Sequence, residues 1–188
     1  MFELYQSDTG SRGSMSEVWI DTDAGLVKKY YKPDGRTITG NIPRHTCLDD
    51  IRKLYENEIY WSQKLQSKHV VRMLDHGQLA TCNGWYILQE WHGPDLLPNF
   101  RLDTRLYHMI PDADIQIEEM FEFWQAHGVY KLNNAMANMT LQNGKIKAFD
   151  FKYAQSRSDE HKSLEQFSIA KWISKIEPTL IDRLEKFL

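Results

Sequence analysis

The apolar pattern of this chain changes period between residues 31 and 49, and that change most limits what it can fold into. Upstream lie two β-prone runs, Glu17-Val18-Trp19-Ile20 and Leu26-Val27-Lys28-Lys29-Tyr30-Tyr31. They flank Asp21-Thr22-Asp23-Ala24-Gly25, a run of turn-forming residues, which predicts a β-hairpin. Downstream, Ile51, Leu54, Tyr55, Glu58, Ser62 and Leu65 recur at steps of three and four, which predicts a helix over about 49–66. A sheet and a helix each expose one apolar face and must cover it, so the two periods together predict an α+β fold. One residue of the helical stripe, Glu58, is a carboxylate. Burying it unpaired is costly, so it either meets a cation or sits at the margin in solvent.

The remaining chain continues the alternation of elements. Pro33-Asp34-Gly35 ends the second strand, and a polar loop runs to about residue 47. Val70–Leu74 and Gly84–Glu90 read as strands, and His92-Gly93-Pro94-Asp95 as a break that serves as a hinge between two lobes. Ile117, Met120, Phe121 and Trp124 form the stripe of a second helix over about 112–127, with Gly128 placed to end it. Asn138–Leu141 and Lys145–Phe149 form a hairpin around Gly144. Helices over about 159–176 and 180–188 close the chain, with Pro178 between them.

Composition excludes several classes. At 188 residues the chain is one domain, or two small lobes sharing a core. Six Trp, nine Tyr and eight Phe are too many for a disordered protein. No apolar run approaches the roughly 18–20 residues of a membrane span. Residues Met1 to Gly13 lack a basic stretch followed by an apolar one, so no signal peptide is expected. Cys47 and Cys82 have no metal-type spacing. A cytoplasmic protein is therefore expected. Its net charge of −3, from 23 basic and 26 acidic residues, gives no general attraction to nucleic acid.

Four separated features carry chemistry. Gly10-Ser11-Arg12-Gly13-Ser14-Met15-Ser16-Glu17-Val18-Trp19 is a small-residue loop whose backbone N–H groups can approach phosphate oxygens, or else a plain terminal loop. Strand alternation turns one of Lys28 and Lys29 inward, where it needs an anion. Glu58 could supply that anion. Lys131-Leu132-Asn133-Asn134-Ala135-Met136-Ala137-Asn138 is followed by Asp150-Phe151-Lys152. An amide and a carboxylate on adjacent loops could bind Mg²⁺ bridging nucleotide phosphates. The plainer alternative makes the asparagines turn residues and Asp150 a strand-end cap.

In this order the four features resemble the protein-kinase-like fold, over about residues 10–155. The resemblance implies a small β-sheet lobe with one helix at 1–92 and a truncated helical lobe at 93–188. Arg12 to Trp19, which contains Gly13, Ser14 and Val18, resembles the glycine-rich loop. Lys28 looks like the phosphate-pairing lysine and Glu58 like its helix partner. Trp85 to Leu96 resembles the hinge strand. That makes Gln89 the gatekeeper, gives the adenine edge to backbone groups of Glu90 and His92, and the ribose to Asp95. Asn138 and Asp150 look like the two metal ligands. ATP and Mg²⁺ are the cofactors so implied. The segment Leu26 to Gly35, and the short second lobe, are similar to those of bacterial sugar kinases acting on the lipopolysaccharide core.

The chain also departs from that pattern. Asn133 stands where the catalytic aspartate would be, and an amide cannot take a proton. Ala135 replaces the loop lysine, and Lys152 replaces the glycine after Asp-Phe. Only Gly13 of three loop glycines remains. Three readings follow: an ATP-dependent phosphotransferase with a small or unusual substrate, a pseudokinase that regulates a protein partner, or a small α+β binding protein without nucleotide. In the first, Lys131, Lys147 or Lys152 would add positive charge.

Overall fold

A computed structural model describes residues 1–4, 16–31, 48–80, 84–90, 104–131, 138–159, 162–163, 166 and 178–187. The expected hairpin is present as β2 (Glu17–Asp21) and β3 (Leu26–Tyr31), paired from Glu17 opposite Tyr30 to Asp21 opposite Leu26. Asp21 Oδ1 accepts the Ala24 N–H at 3.0 Å, and Gly25 takes φ 63°, the left-handed conformation for which a residue without Cβ is suited. Three more strands extend this pair: β1 (Glu3–Leu4), β4 (Met73–Gln78) and β5 (Trp85–Glu90). The sheet is antiparallel throughout, in the order β1-β2-β3-β5-β4.

Helix α1 (Leu48–Lys64) covers one face of the sheet. Of the expected stripe, Ile51, Tyr55, Glu58 and Ser62 are buried, as is Leu65 just beyond the helix, while Leu54 is only half-buried. Ile51 and Tyr55 pack with Tyr31 of β3 and Ile87 of β5. Tyr55 also stacks on Trp85, ring centroids 5.6 Å apart.

The strand expected at Val70–Leu74 begins later, because its apolar start is used elsewhere. Val70 forms a parallel bridge with Ala148, and the Val71 N–H donates to the Ala148 carbonyl at 3.0 Å. Pairing with β5 then falls to the more polar Met73–Gln78, which forms the edge of the sheet, where backbone pairing does not require an alternating pattern.

The second half of the chain packs on α3 (Ala113–Ala126), whose buried residues include Ile117, Met120, Phe121 and Trp124, as its stripe predicts. Gly128 follows at φ 63°. A hairpin of β7 (Met139–Gln142) and β8 (Lys145–Ala148) turns at Asn143 and Gly144, both with positive φ. Besides β1, three elements have no counterpart in the sequence pattern. These are α2 (Thr104–Met109) and the two-residue strands β6 (Val129–Tyr130) and β9 (Gln155–Ser156), which pair with each other. The last helix, α4 (Pro178–Glu185), starts at the proline, whose missing N–H costs nothing in a first turn. The helix expected at 159–176 and the break at His92–Asp95 lie largely or wholly outside the described residues.

The largest core joins α3, α4 and the β7–β8 hairpin to Trp61 and Leu65 at the end of α1. Phe149 leaves that core for a separate cluster with Ile20, Val27 and Val71 below the sheet. Phe151 returns to the large core, its ring edge-on to Trp124. Asp150 is thus held between two buried aromatic anchors that point into different clusters. Among the described residues, no helix is long and apolar enough to cross a membrane.

Candidate functional site

In β3, Val27, Lys29 and Tyr31 are buried, while Lys28 and Tyr30 are less so. The inward lysine is therefore Lys29, which corrects the assignment of that position to Lys28. The physical reason is what lies under the strand. Alternation must place either the odd or the even set inward, and the odd set brings Val27 and Tyr31 onto the apolar clusters beneath the sheet. Lys28 lies on the other face, with Nζ 4.6 Å from the ring centre of Tyr86 and 5.2 Å from that of Tyr30.

Glu58 is inward and fully buried, and it has the cationic partner its position demands. Lys29 Nζ lies 2.5 Å from Glu58 Oε1, and the Tyr31 hydroxyl donates to Glu58 Oε2. Tyr31 is two residues from Lys29, so one strand face supplies both donors. Burial, together with the negative charges of Glu58 and Asp150, raises the Tyr31 phenol well above its ordinary range, so it stays a donor.

Lys29 also faces Asp150, at 4.0 Å from Oδ1, and its Nζ lies 5.6 Å from the ring centre of Phe149. Asp150 has φ 68°, rare for a residue with a side chain, and its backbone turns directly after β8. Lys152 Nζ lies 2.5 Å from Oδ1 and 2.7 Å from Oδ2. Lys131, itself buried, donates to the Asp150 carbonyl at 3.3 Å and lies over the Phe151 ring. Burial by itself would raise the Asp150 carboxyl. Lys152 and Lys29 outweigh it and hold the group well below the usual carboxylate range. Among the described side chains the cluster sets three ammonium groups against two carboxylates.

The other expected residues are placed as follows. Asn138 immediately precedes β7, and its carbonyl accepts the Phe149 N–H at 3.0 Å, so the hairpin register brings it beside the Phe149–Asp150 junction. Val18 pairs in register with Lys29 and packs on the Phe149 cluster. Gln89 is buried opposite Val27, on the face that carries Lys29. The Glu90 N–H donates to the Arg72 carbonyl at 3.0 Å, so that group is already engaged. Gly13, Ser14, His92, Asp95 and Asn133 lie outside the described residues.

Asn57 has no sequence signal of its own. Next to Glu58 on α1, it donates through Nδ2 to the carbonyls of Lys152 and Ala154, both at 2.9 Å, and so ties the turn after Asp150 to the helix. Lys152 is legible as a departure from a family pattern, but its partner is not.

The donor set does not fit a divalent cation in this arrangement. Mg²⁺ takes carboxylate oxygens at about 2.1 Å in a strict octahedron. Both Asp150 oxygens are instead engaged by an ammonium, with a second ammonium close by. Among the described residues, no group of three or more His, Cys, Asp or Glu side chains is placed to hold a metal. What the arrangement can do is bind an anion. Lys29 and Lys152 are desolvated cations held in place by carboxylates, and a phosphate offers several charged acceptors to such groups. No protein-family model matches the chain, and no curated protein is similar to it at a significant level.

Proposed function

We propose that this chain is a nucleotide-dependent phosphotransferase of the protein-kinase-like type, acting on a small or unusual substrate. The observation that supports this reading is the buried Lys29–Glu58 pair held 4.0 Å from Asp150. A buried ion pair seldom gains stability over apolar residues of the same size. A pair that also faces a third charge, on a backbone in a rare conformation, is better explained by a role in binding or chemistry.

In this reading Lys29, not Lys28, faces the nucleotide phosphates, and Glu58 and Tyr31 hold it there. Gly13, Ser14 and Val18 cover the phosphates. Gln89, Glu90, His92 and Asp95 line the base and ribose. Asn133 positions the accepting hydroxyl. Phosphoryl transfer depends chiefly on positioning and charge neutralisation, so it does not demand a strong base. ATP is the nucleotide proposed.

The test is thermal melting with ATP. A ligand at about 100 times its Kd stabilises the folded state by about 2.7 kcal/mol. The rise in Tm is expected in the wild type and in Lys28→Met, and is expected to be lost in Lys29→Met. Transfer or slow release of the terminal phosphate, lost in Asp150→Ala, then identifies an enzyme. A second reading, the pseudokinase, is favoured by the grip of Lys152 on Asp150 and predicts stabilisation by ATP without turnover. If ATP changes nothing, the chain is an α+β binding protein of another kind.

A further inference from the structure

We infer that Lys152 supplies at Asp150 the positive charge that a divalent cation would otherwise supply, so that this site holds a nucleoside triphosphate without a metal. The inference rests on the nucleotide-binding reading above and names the ionic form of ligand that the site takes.

The geometry of Lys152 carries the argument. Its Nζ bridges both oxygens of Asp150 at 2.5 and 2.7 Å. A metal ion using that carboxylate would have to displace the ammonium, or share the oxygens with it against like-charge repulsion. Lys29, 4.0 Å from Oδ1, and Lys131, on the Asp150 carbonyl, add to the repulsion.

Lys152 is not a surface lysine that happens to fold over. Its side chain is 10% exposed and that of Asp150 13%. Its backbone is fixed at both sides. Asn57 of α1 binds the carbonyls of Lys152 and Ala154, and the Ala154 N–H donates to the Phe151 carbonyl at 2.9 Å. Phe151, next to it, is buried in the large core. The ammonium is therefore delivered by a built turn, at a fixed place beside Lys29.

The placement of the two ammonium groups agrees with this assignment. Lys29 and Lys152 approach the same Asp150 oxygen, at 4.0 and 2.5 Å. A triphosphate oxygen can bridge Lys29 and Lys152 while each keeps its carboxylate, since an ammonium has three donors.

Isothermal titration of the full chain with ATP, in excess EDTA and again in excess MgCl₂, tests the inference. The wild-type Kd is expected to agree within about threefold between the two conditions. Lys152→Met is expected to weaken binding in EDTA by about tenfold or more, the loss of one charge-assisted contact, and to recover when Mg²⁺ is added. Lys152→Arg is expected to bind in EDTA as the wild type does. If Lys152→Met does not fold, the two wild-type titrations decide alone. Wild-type binding that is tenfold or more tighter with Mg²⁺ overturns the inference and leaves the nucleotide-binding reading in place. No binding in either condition removes that reading and the inference with it.

Discussion

Lys28 and Lys29 are adjacent and chemically identical, yet one strand places them in opposite surroundings. Lys28 keeps its ammonium over the rings of Tyr30 and Tyr86, where the attraction is modest. Lys29 is 5% exposed and pairs with a carboxylate that is fully buried. Removing one partner of a buried pair strands the other. Lys29→Met is therefore expected to destabilise the fold by about 3 kcal/mol, through an uncompensated Glu58. Lys28→Met is expected to stay within about 1 kcal/mol of the wild type. Urea unfolding with an unchanged m-value measures both, and the reverse ranking would mean that the strand faces are misassigned. In the melting experiment with ATP, the ligand-induced shift is therefore read within each variant, against that variant's own Tm without ATP.

At the scale of elements, the site depends on how α1 meets the turn after β8. Glu58 and Asn57 are consecutive on that helix and perform different tasks. Glu58 reaches the sheet, through Lys29 and Tyr31, and Asn57 reaches the turn, through the carbonyls of Lys152 and Ala154. One turn of α1 thereby sets the distance between Lys29 and Asp150. Asn57→Ala leaves two carbonyls without their side-chain donor and is expected to cost about 2 kcal/mol. It is also expected to speed hydrogen exchange at the Ala154 amide, which closes the turn onto the Phe151 carbonyl. Unchanged exchange at that amide would show that the turn holds without the helix.

At the scale of the whole molecule, the sheet half and the helical half are stitched together where the chain leaves α1. His69 lies at that crossing. Its carbonyl accepts the Ala148 N–H at 2.8 Å, and its ring packs against Phe123, centroids 5.5 Å apart. Burial lowers the imidazole from 6.5 to about 4, with the charges of Lys68 and Lys145 adding and Glu119 opposing. The folded state therefore resists protonation more than the unfolded chain does. The stability linked to neutral His69 is complete above about pH 6.5 and is lost as pH falls towards about 4. Urea midpoints across that window are expected to fall with pH in the wild type and to fall less in His69→Gln. Equal slopes would assign the acid sensitivity to other groups.

Sequence alone determined the elements whose signals are local. The hairpin of β2 and β3, the inward stripe of α1, the stripe of α3 and the turn at Asn143-Gly144 follow from period and turn chemistry within a few residues of chain. For Glu58 the pattern left two outcomes, a cationic partner or a solvated margin, and the tertiary structure decided for the first. Tertiary structure decided what depends on distant residues. The phase of β3 follows from the clusters beneath the sheet, and alternation leaves that phase open. The start of β4 follows from Ala148, which engages Val70 and Val71 from far along the chain. Asn57 and Lys152 gain their places only because the chain returns to α1 some ninety residues later. Sequence periodicity reports which face of an element is apolar. It does not report what that face meets, and the charges of this site are arranged by the meeting.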